Sequence, residues 1–290
     1  MKVSQKTFRS PVIYTVTFFL LFTLIVNQSF SQIADSIITN LGSMINGPGP
    51  EINPKISADG KKIFFTRIVK EGANTFQQIF YSEKDQNGNW IKARNLDEFP
   101  FNEQMANSVV YVSADGNSVI IKGVFENNKL NEKKRGYSWV KKTETGAWGK
   151  PETMFIEGYD KLDKGLYNGM YLGPGGNVMI LSMTPEKGGV NNDLYVSFRK
   201  EDETWSKPEL ISKEINLPTN EFAPFLASDG VTLYFASDRT GGMGNSDIYK
   251  TKRLDDSWLS WSEPKNLGDP VNTKGREGYY VIDATSEYAY

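Results

Sequence analysis

A chain of 290 residues without one cysteine or histidine excludes zinc sites built on those residues, Ser-His-Asp triads, Cys-His dyads and disulfide frameworks. Thirty-three basic residues against thirty-five acidic ones leave a net charge of −2 and no electrostatic reason for nucleic-acid binding. Abundant aromatics (17 Phe, 14 Tyr, 6 Trp) favour strands over helical bundles, and the length suffices for one large domain or two small ones.

Lys2, Lys6 and Arg9 precede an uncharged, almost wholly apolar stretch from Val12 to Val26, which runs into Ser29-Phe30-Ser31. A basic start, an apolar core and small residues at the −3 and −1 positions predict a secretory signal peptide over residues 1–31. Cleavage after Ser31 then makes the protein periplasmic or secreted, with no membrane span left. The rival is an uncleaved anchor, but fifteen residues at about 1.5 Å each fall short of the ~30 Å hydrocarbon layer. Removal of the leader shifts the net charge from −2 to −5. An exported domain without disulfides rests on its core alone, which the remaining 259 residues can build.

Beyond the leader the sequence repeats itself. Pro54-Lys55-Ile56-Ser57-Ala58-Asp59-Gly60 aligns with Pro224-Phe225-Leu226-Ala227-Ser228-Asp229-Gly230. Between them stand Val112-Ser113-Ala114-Asp115-Gly116 and the degenerate Leu172-Gly173-Pro174-Gly175-Gly176. A fifth copy, Ile282-Asp283-Ala284-Thr285-Ser286, keeps the position but not the residues. The anchors 59, 115, 175, 229 and 285 are 56, 60, 54 and 56 residues apart. Each Asp-Gly pair is followed by an apolar run (Ile63-Phe64-Phe65, Val119-Ile120-Ile121, Val178–Leu181, Leu233-Tyr234-Phe235). Next comes a second short strand around Tyr81, Trp139, Tyr195 and Tyr249, then a tryptophan: Trp90, Trp148, Trp205 or Trp261.

Asp-Gly between apolar runs predicts a tight hairpin, because glycine supplies the positive φ of a two-residue turn. Strand, hairpin, strand, loop, strand and tryptophan strand make a four-stranded propeller blade; a linear β-solenoid has much shorter rungs. The expected fold is therefore an all-β propeller, with repeats at about 51–104, 105–165, 166–220 and 221–275 and a partial one at 276–290. Asn40-Leu41-Gly42 with Glu51 mirrors Asn266-Leu267-Gly268 with Glu277. The two ends of the chain are thus expected to share a composite closing blade, giving five blades and no open sheet edge. Only eight residues separate Ser31 from Asn40, so either that blade is short or the chain is a piece of something longer.

Pro-x-x-Ser-x-Asp-Gly, an apolar strand, and then Ser237-Asp238-Arg239-Thr240-Gly241-Gly242-Met243-Gly244-Asn245-Ser246-Asp247-Ile248-Tyr249 resemble the WD40-like PD40 repeat of TolB-type β-propellers. The similarity is greatest to propellers of Bacteroidetes envelope proteins, where such blades often precede an OmpA-like domain. The fourth unit matches over its whole length, the first well, and the second and third are diverged. The resemblance implies non-catalytic roles in envelope assembly, secretion or protein contact. No OmpA-like region is present, so peptidoglycan binding does not carry over.

Asp59, Asp115 and Asp229 read as turn caps, with Gly60, Gly116 and Gly230 completing the turns, because aspartate before glycine bonds its own backbone. The four repeated tryptophans read as packing between blades. The Ser237–Asp247 loop lacks the ligand run of an EF-hand and the Lys-Ser/Thr of a phosphate loop, so no metal and no cofactor is expected. A glycosidase needs two carboxylates across a cleft, and no pair stands out from the repeat. Binding is expected instead from residues that break the repeat: Asp238, Arg239, Met243, Asp247 and Trp258, with the basic run Lys129 to Arg135 as a solvated loop. These readings point to a non-catalytic exported propeller that contacts an envelope or secreted protein. The alternatives are a carboxylate-dependent glycan hydrolase on the same fold, or the propeller part of a larger envelope protein.

Overall fold

The repeat folds as blades because its apolar runs are buried on both faces. The computed structural model describes residues 40–282 and 289; the leader and the Asp283–Ser286 part of the fifth copy lie outside the described residues. Blade 1 consists of β1 (Glu51–Ile56), β2 (Lys62–Glu71), β3 (Asn74–Glu83) and β4 (Arg94–Asn95). Blade 2 holds β5 (Val109–Val112) and β6 (Ser118–Lys122), then a hairpin of β7 (Phe125–Glu126) and β8 (Lys129–Leu130), then β9 (Tyr137–Lys141) and β10 (Glu152–Thr153). A one-turn helix α1 (Tyr159–Leu162) leads to blade 3: β11 (Gly169–Leu172), β12 (Val178–Met183), β13 (Asp193–Phe198) and β14 (Glu209–Leu210). Blade 4 is β15 (Glu221–Leu226), β16 (Thr232–Ser237), β17 (Asp247–Lys252) and β18 (Lys265–Asn266). Every strand pairing within the four blades is antiparallel.

The inner strands β1, β5, β11 and β15 pack side by side, and together with Val281 and Ile282 they line an axial cavity of about 240 Å³. Successive side chains of a strand point to opposite faces, and here each face meets a neighbouring blade. Met179 and Leu181 of β12 join Ile120 and Tyr137 of blade 2, whereas Ile180 between them joins Leu233 and Phe235 of blade 4. Phe64 and Ile79 of blade 1 pack in the same way on Val119 and Ile121 of blade 2. Such a strand reads as a continuous apolar run rather than as an alternation. The described residues thus form an all-β, propeller-like fold of four blades. Among them no helix is long and apolar enough to cross a membrane.

The Asp-Gly turns differ from the two-residue turn expected. Ser57 to Lys61 separate β1 from β2, Gly60 donates to the Ser57 carbonyl at 2.9 Å, and within the turn only Gly60 is left-handed (φ 67°). A two-residue I′ turn would need positive φ at two consecutive residues. The carboxylate makes up for the longer loop: Asp59 accepts from Lys61 N (3.0 Å), Asp115 from Asn117 N (3.0 Å) and Asp229 from Val231 N (2.9 Å). The Ser113 hydroxyl and then the Asn117 amide hold the Asp115 carboxyl below its ordinary value. Gly116 (φ 67°) and Gly230 (φ 66°) occupy the same place in their turns. β1 and β15 each carry a bulge with a left-handed residue, Asn53 (φ 53°) and Ala223 (φ 49°), which tilts the start of the inner strand.

Candidate active site

The inner strands begin at one mouth of the axis, opposite the Asp-Gly turns, and charged residues gather there. In blade 1 the Glu51 carboxylate meets Arg67 Nε at 2.8 Å, and Arg67 also donates to the Ile45 carbonyl (2.7 Å) beneath the Phe80 ring. Blade 4 repeats the device. Arg239 stands 3.6 Å from Glu221, donates to the Ile215 carbonyl (2.7 Å) and lies over the Phe235 and Tyr249 rings. Glu221 is fully buried and also accepts from Thr219 (2.6 Å) and Ser237 (2.8 Å). Burial raises its pKa, against the lowering effect of these hydroxyls and of Arg239.

The loop residues singled out from the sequence separate in space. Asp247 is buried and accepts from the backbone N–H of Met243 (2.5 Å) and Gly244 (3.2 Å) and from Asn266 (2.9 Å). Asp238 accepts from Asn220 N at 2.8 Å. Arg239 faces inward, Met243 is exposed, and Trp258 packs edge-on against Trp261 under Arg253. Trp205 and Trp261 are buried, Trp148 meets Phe64 and Phe101 across the blade 1–2 boundary, and Trp90 packs beside Ile45. Among the described residues no three carboxylates gather as a metal site.

A different cluster stands at the mouth where blades 2 and 3 meet. Asp163 follows α1, its side chain is fully buried, and its Oδ2 forms an ion pair with Arg135 Nε at 3.1 Å and accepts from Asn168 Nδ2. Its Oδ1 is buried with no hydrogen-bond partner among the described residues. Burial pushes the Asp163 carboxyl up, while Arg135, Asn168, Tyr159 and Lys122 pull against it. Lys122 closes β6 beside this carboxyl; burial lowers its ammonium to about 8, with Asp163 opposing the shift. The Tyr159 hydroxyl donates to that of Tyr137 at 3.3 Å, and burial raises both phenols.

Arg135 ends the basic run that reads from sequence as a solvated loop, and Lys134 of that run pairs with exposed Glu126 at 2.6 Å. Arg135 is held in place by donation to the Gly165 carbonyl (2.5 Å) as well as by Asp163. Further aromatic groups stand at the start of β15 in blade 4. Phe222 and Tyr279 meet edge-to-face at 6.3 Å, Arg276 lies 5.5 Å over the Phe222 ring, and Tyr167 is 62% exposed. Burial raises the Tyr279 phenol, Arg276 opposes this, and Tyr167 adds to it.

Sequence reasoning missed Asp163, Lys122 and Asn168. The signal present was the longest spacing in the repeat, 60 residues between Asp115 and Gly175, where the β7–β8 hairpin and α1 are inserted.

The described residues combine an all-β, propeller-like fold of four blades with a buried cluster of Asp163, Lys122, Tyr137 and Tyr159. No protein-family model and no curated protein matches the sequence. Solved structures similar to it include the endo-arabinase of Bacteroides thetaiotaomicron (17% identity, 81% of this chain and 86% of that one, TM-score 0.47). The catalytic domain of the GH62 α-L-arabinofuranosidase of Coprinopsis cinerea is another (12%, 83% and 82%, 0.49). A third is a glycosyl hydrolase of Bacteroides ovatus (6%, 78% and 71%, 0.43). The expectation of a non-catalytic scaffold is corrected here. The three similar structures named above are described as glycan-acting hydrolases rather than scaffolds, and the likeness to them is one of fold.

Proposed function

We propose that this chain is an exported, carboxylate-dependent hydrolase of glycans that works at the mouth between blades 2 and 3. The observation that carries the reading is Asp163: a fully buried carboxylate on Arg135, with one oxygen unpartnered, beside an amine of lowered pKa. Perturbed groups that face one another in this way mark acid–base sites. Asp163 stands where the other units set Asn46, Asn102, Asn216 and Asn272, each five residues before Glu51, Asn107, Glu221 or Glu277 as Asp163 is before Asn168, and it is the one carboxyl at that position.

In the proposed reaction Asp163 Oδ1 takes a proton from water as the water oxygen attacks the anomeric carbon. The bond from that carbon to the leaving oxygen breaks, and the leaving oxygen takes a proton from the Lys122 ammonium. Arg135 keeps the carboxylate ionised and oriented. An amine near pH 8 and a carboxylate above its ordinary value are both closer to neutrality than unperturbed side chains, which suits proton transfer at physiological pH. Phe222 and Tyr279 supply ring faces, and Arg276 hydrogen-bond donors, for sugar.

The same proposal includes a PD40-type repeat and a fifth, closing blade. Asn46 N donates to Gly42 O at 2.9 Å as Asn272 N does to Gly268 O at 2.8 Å, and Val281 and Ile282 line the axis beside the four inner strands. Export rests on the predicted leader.

The test is release of reducing ends from a panel of aryl glycosides and polysaccharides by the chain from Gln32 onward. Activity is expected in the wild type and loss of it in Asp163→Asn at unchanged thermal midpoint. Silence of the folded wild type across the panel, or full activity of Asp163→Asn, overturns the reading.

A further inference from the structure

The ring of side chains that lines the axis is broken at one place. Four residues before each anchor the repeat sets Tyr111, Tyr171, Phe225 and Val281, but in blade 1 it sets Lys55. All five line the same cavity of about 240 Å³, and Lys55 is the one charged residue among its described lining. Its ammonium donates to Asn53 Oδ1 at 2.8 Å and to the Pro54 carbonyl at 3.4 Å. Asn53 is itself held by donation to Ser108 Oγ and to the Val109 carbonyl at 3.0 Å. No carboxylate among the described residues pairs with Lys55, and burial alone lowers it to about 8. A cation placed in a low-polarity cavity without a counter-charge is costly, and an incoming anion offsets that cost.

We propose that the axial cavity is a binding site for a small organic monocarboxylate, its charge on Lys55 and its apolar body against Tyr111, Tyr171 and Phe225. One cation matches one negative charge, which favours a carboxylate over a phosphate dianion. The aromatic walls, with Tyr171 and Phe225 edge-to-face at 5.1 Å, favour a ligand with a flat or aliphatic body over an inorganic ion. The site does not depend on the hydrolase reading, and its test is a binding measurement that needs no turnover.

Calorimetric titration of the folded protein with benzoate, benzyl alcohol and inorganic phosphate separates charge from shape. Benzoate is expected to bind and to raise the thermal midpoint, with benzyl alcohol and phosphate at least about tenfold weaker, the order expected for loss of one charge-assisted hydrogen bond. Lys55→Met is expected to weaken benzoate by a similar factor. Should that variant fail to fold, Lys55→Gln serves in its place, as does a ¹³C-resolved lysine titration of the wild type in which benzoate raises the Lys55 midpoint above about 8. Equal binding of benzyl alcohol, phosphate binding in preference to benzoate, absence of any binding, or benzoate binding unchanged in the Lys55 variants each overturns the proposal.

Discussion

Blade 3 is flanked by two buried carboxyls with raised pKa, Glu221 on its blade 4 side and Asp163 on its blade 2 side, and they differ in origin. Glu221 repeats Glu51: both meet an arginine that also donates to a backbone carbonyl and covers aromatic rings. All of Glu221's partners come from the repeat or its flanks, and Arg239 is itself nearly buried. Asp163 takes the place of the asparagines Asn46, Asn102, Asn216 and Asn272, with the same backbone bond to the residue four before as Asn46, Asn216 and Asn272, and puts a carboxyl where they have an amide. Its partners are drawn from an inserted loop (Arg135), the end of β6 (Lys122) and the residue before β11 (Asn168). The contrast teaches that a perturbed carboxyl is by itself ambiguous, and that periodicity decides what it is for. The Glu221 environment is one the repeat builds twice and holds the fold, whereas Asp163 puts a carboxyl where the other units keep an amide, and that exchange makes it available for chemistry.

The strongest way to break this contrast is to neutralise each carboxyl in turn. Asp163→Asn is expected to lower kcat/KM for the hydrolysed glycan by about 10²–10⁴, the usual contribution of a positioned acid or base, with a nearly unchanged urea midpoint. Glu221→Ala is expected to do the opposite. It leaves Arg239 buried without its partner, and should cost about 3–5 kcal/mol in equilibrium unfolding while activity per folded molecule stays near wild type. Should Asp163→Asn unfold the protein and Glu221→Ala spare it, the two assignments are exchanged.

Lys122 sharpens the same comparison through pH. With Asp163 as base and Lys122 as acid, the rate rises as Asp163 loses its proton and falls as Lys122 loses its own at about 8. Lys122→Arg keeps the positive charge but cannot give up its proton in this range. Its rate at the optimum should drop, and the alkaline fall near pH 8 should vanish from the kcat profile. Stability follows its own sign. Burial holds protons on Asp163 and Glu221 that the unfolded chain has released, so stability falls as pH rises from the ordinary carboxyl values through the raised ones. Thermal midpoints recorded across pH 4–7 should show that decline, and Asp163→Asn should reduce it. The smallest effect belongs to the repeat alone: Ala223 sits at φ 49° in the β15 bulge, and Ala223→Gly should stabilise the fold by about 1 kcal/mol or less in urea unfolding.

Much of the fold was legible because a blade is a local object. The Asp-Gly anchors, the doubly buried apolar runs and the tryptophans lie within about one repeat of each other, and antiparallel neighbours in sequence are neighbours in space. The turn type was less legible: the identities of Asp59 and Gly60 do not reveal that only the glycine is left-handed. The site was hardly legible at all. Arg135 and Asp163 are twenty-eight residues apart and Lys122 comes earlier still, with no spacing that announces a pair. Arg239 and Asp247, the conspicuous residues of a glycine-rich loop, bond to blade 4 and to the segment that leads into it.

By itself the sequence determined the repeat, the all-β class, the strand order within a blade and the exclusion of histidine and cysteine chemistry, since all of these depend on residue type and short-range periodicity. Only the tertiary structure decided which charges are buried and what faces them. Burial and electrostatic neighbourhood arise where blades meet, from residues whose separation along the chain carries no pattern.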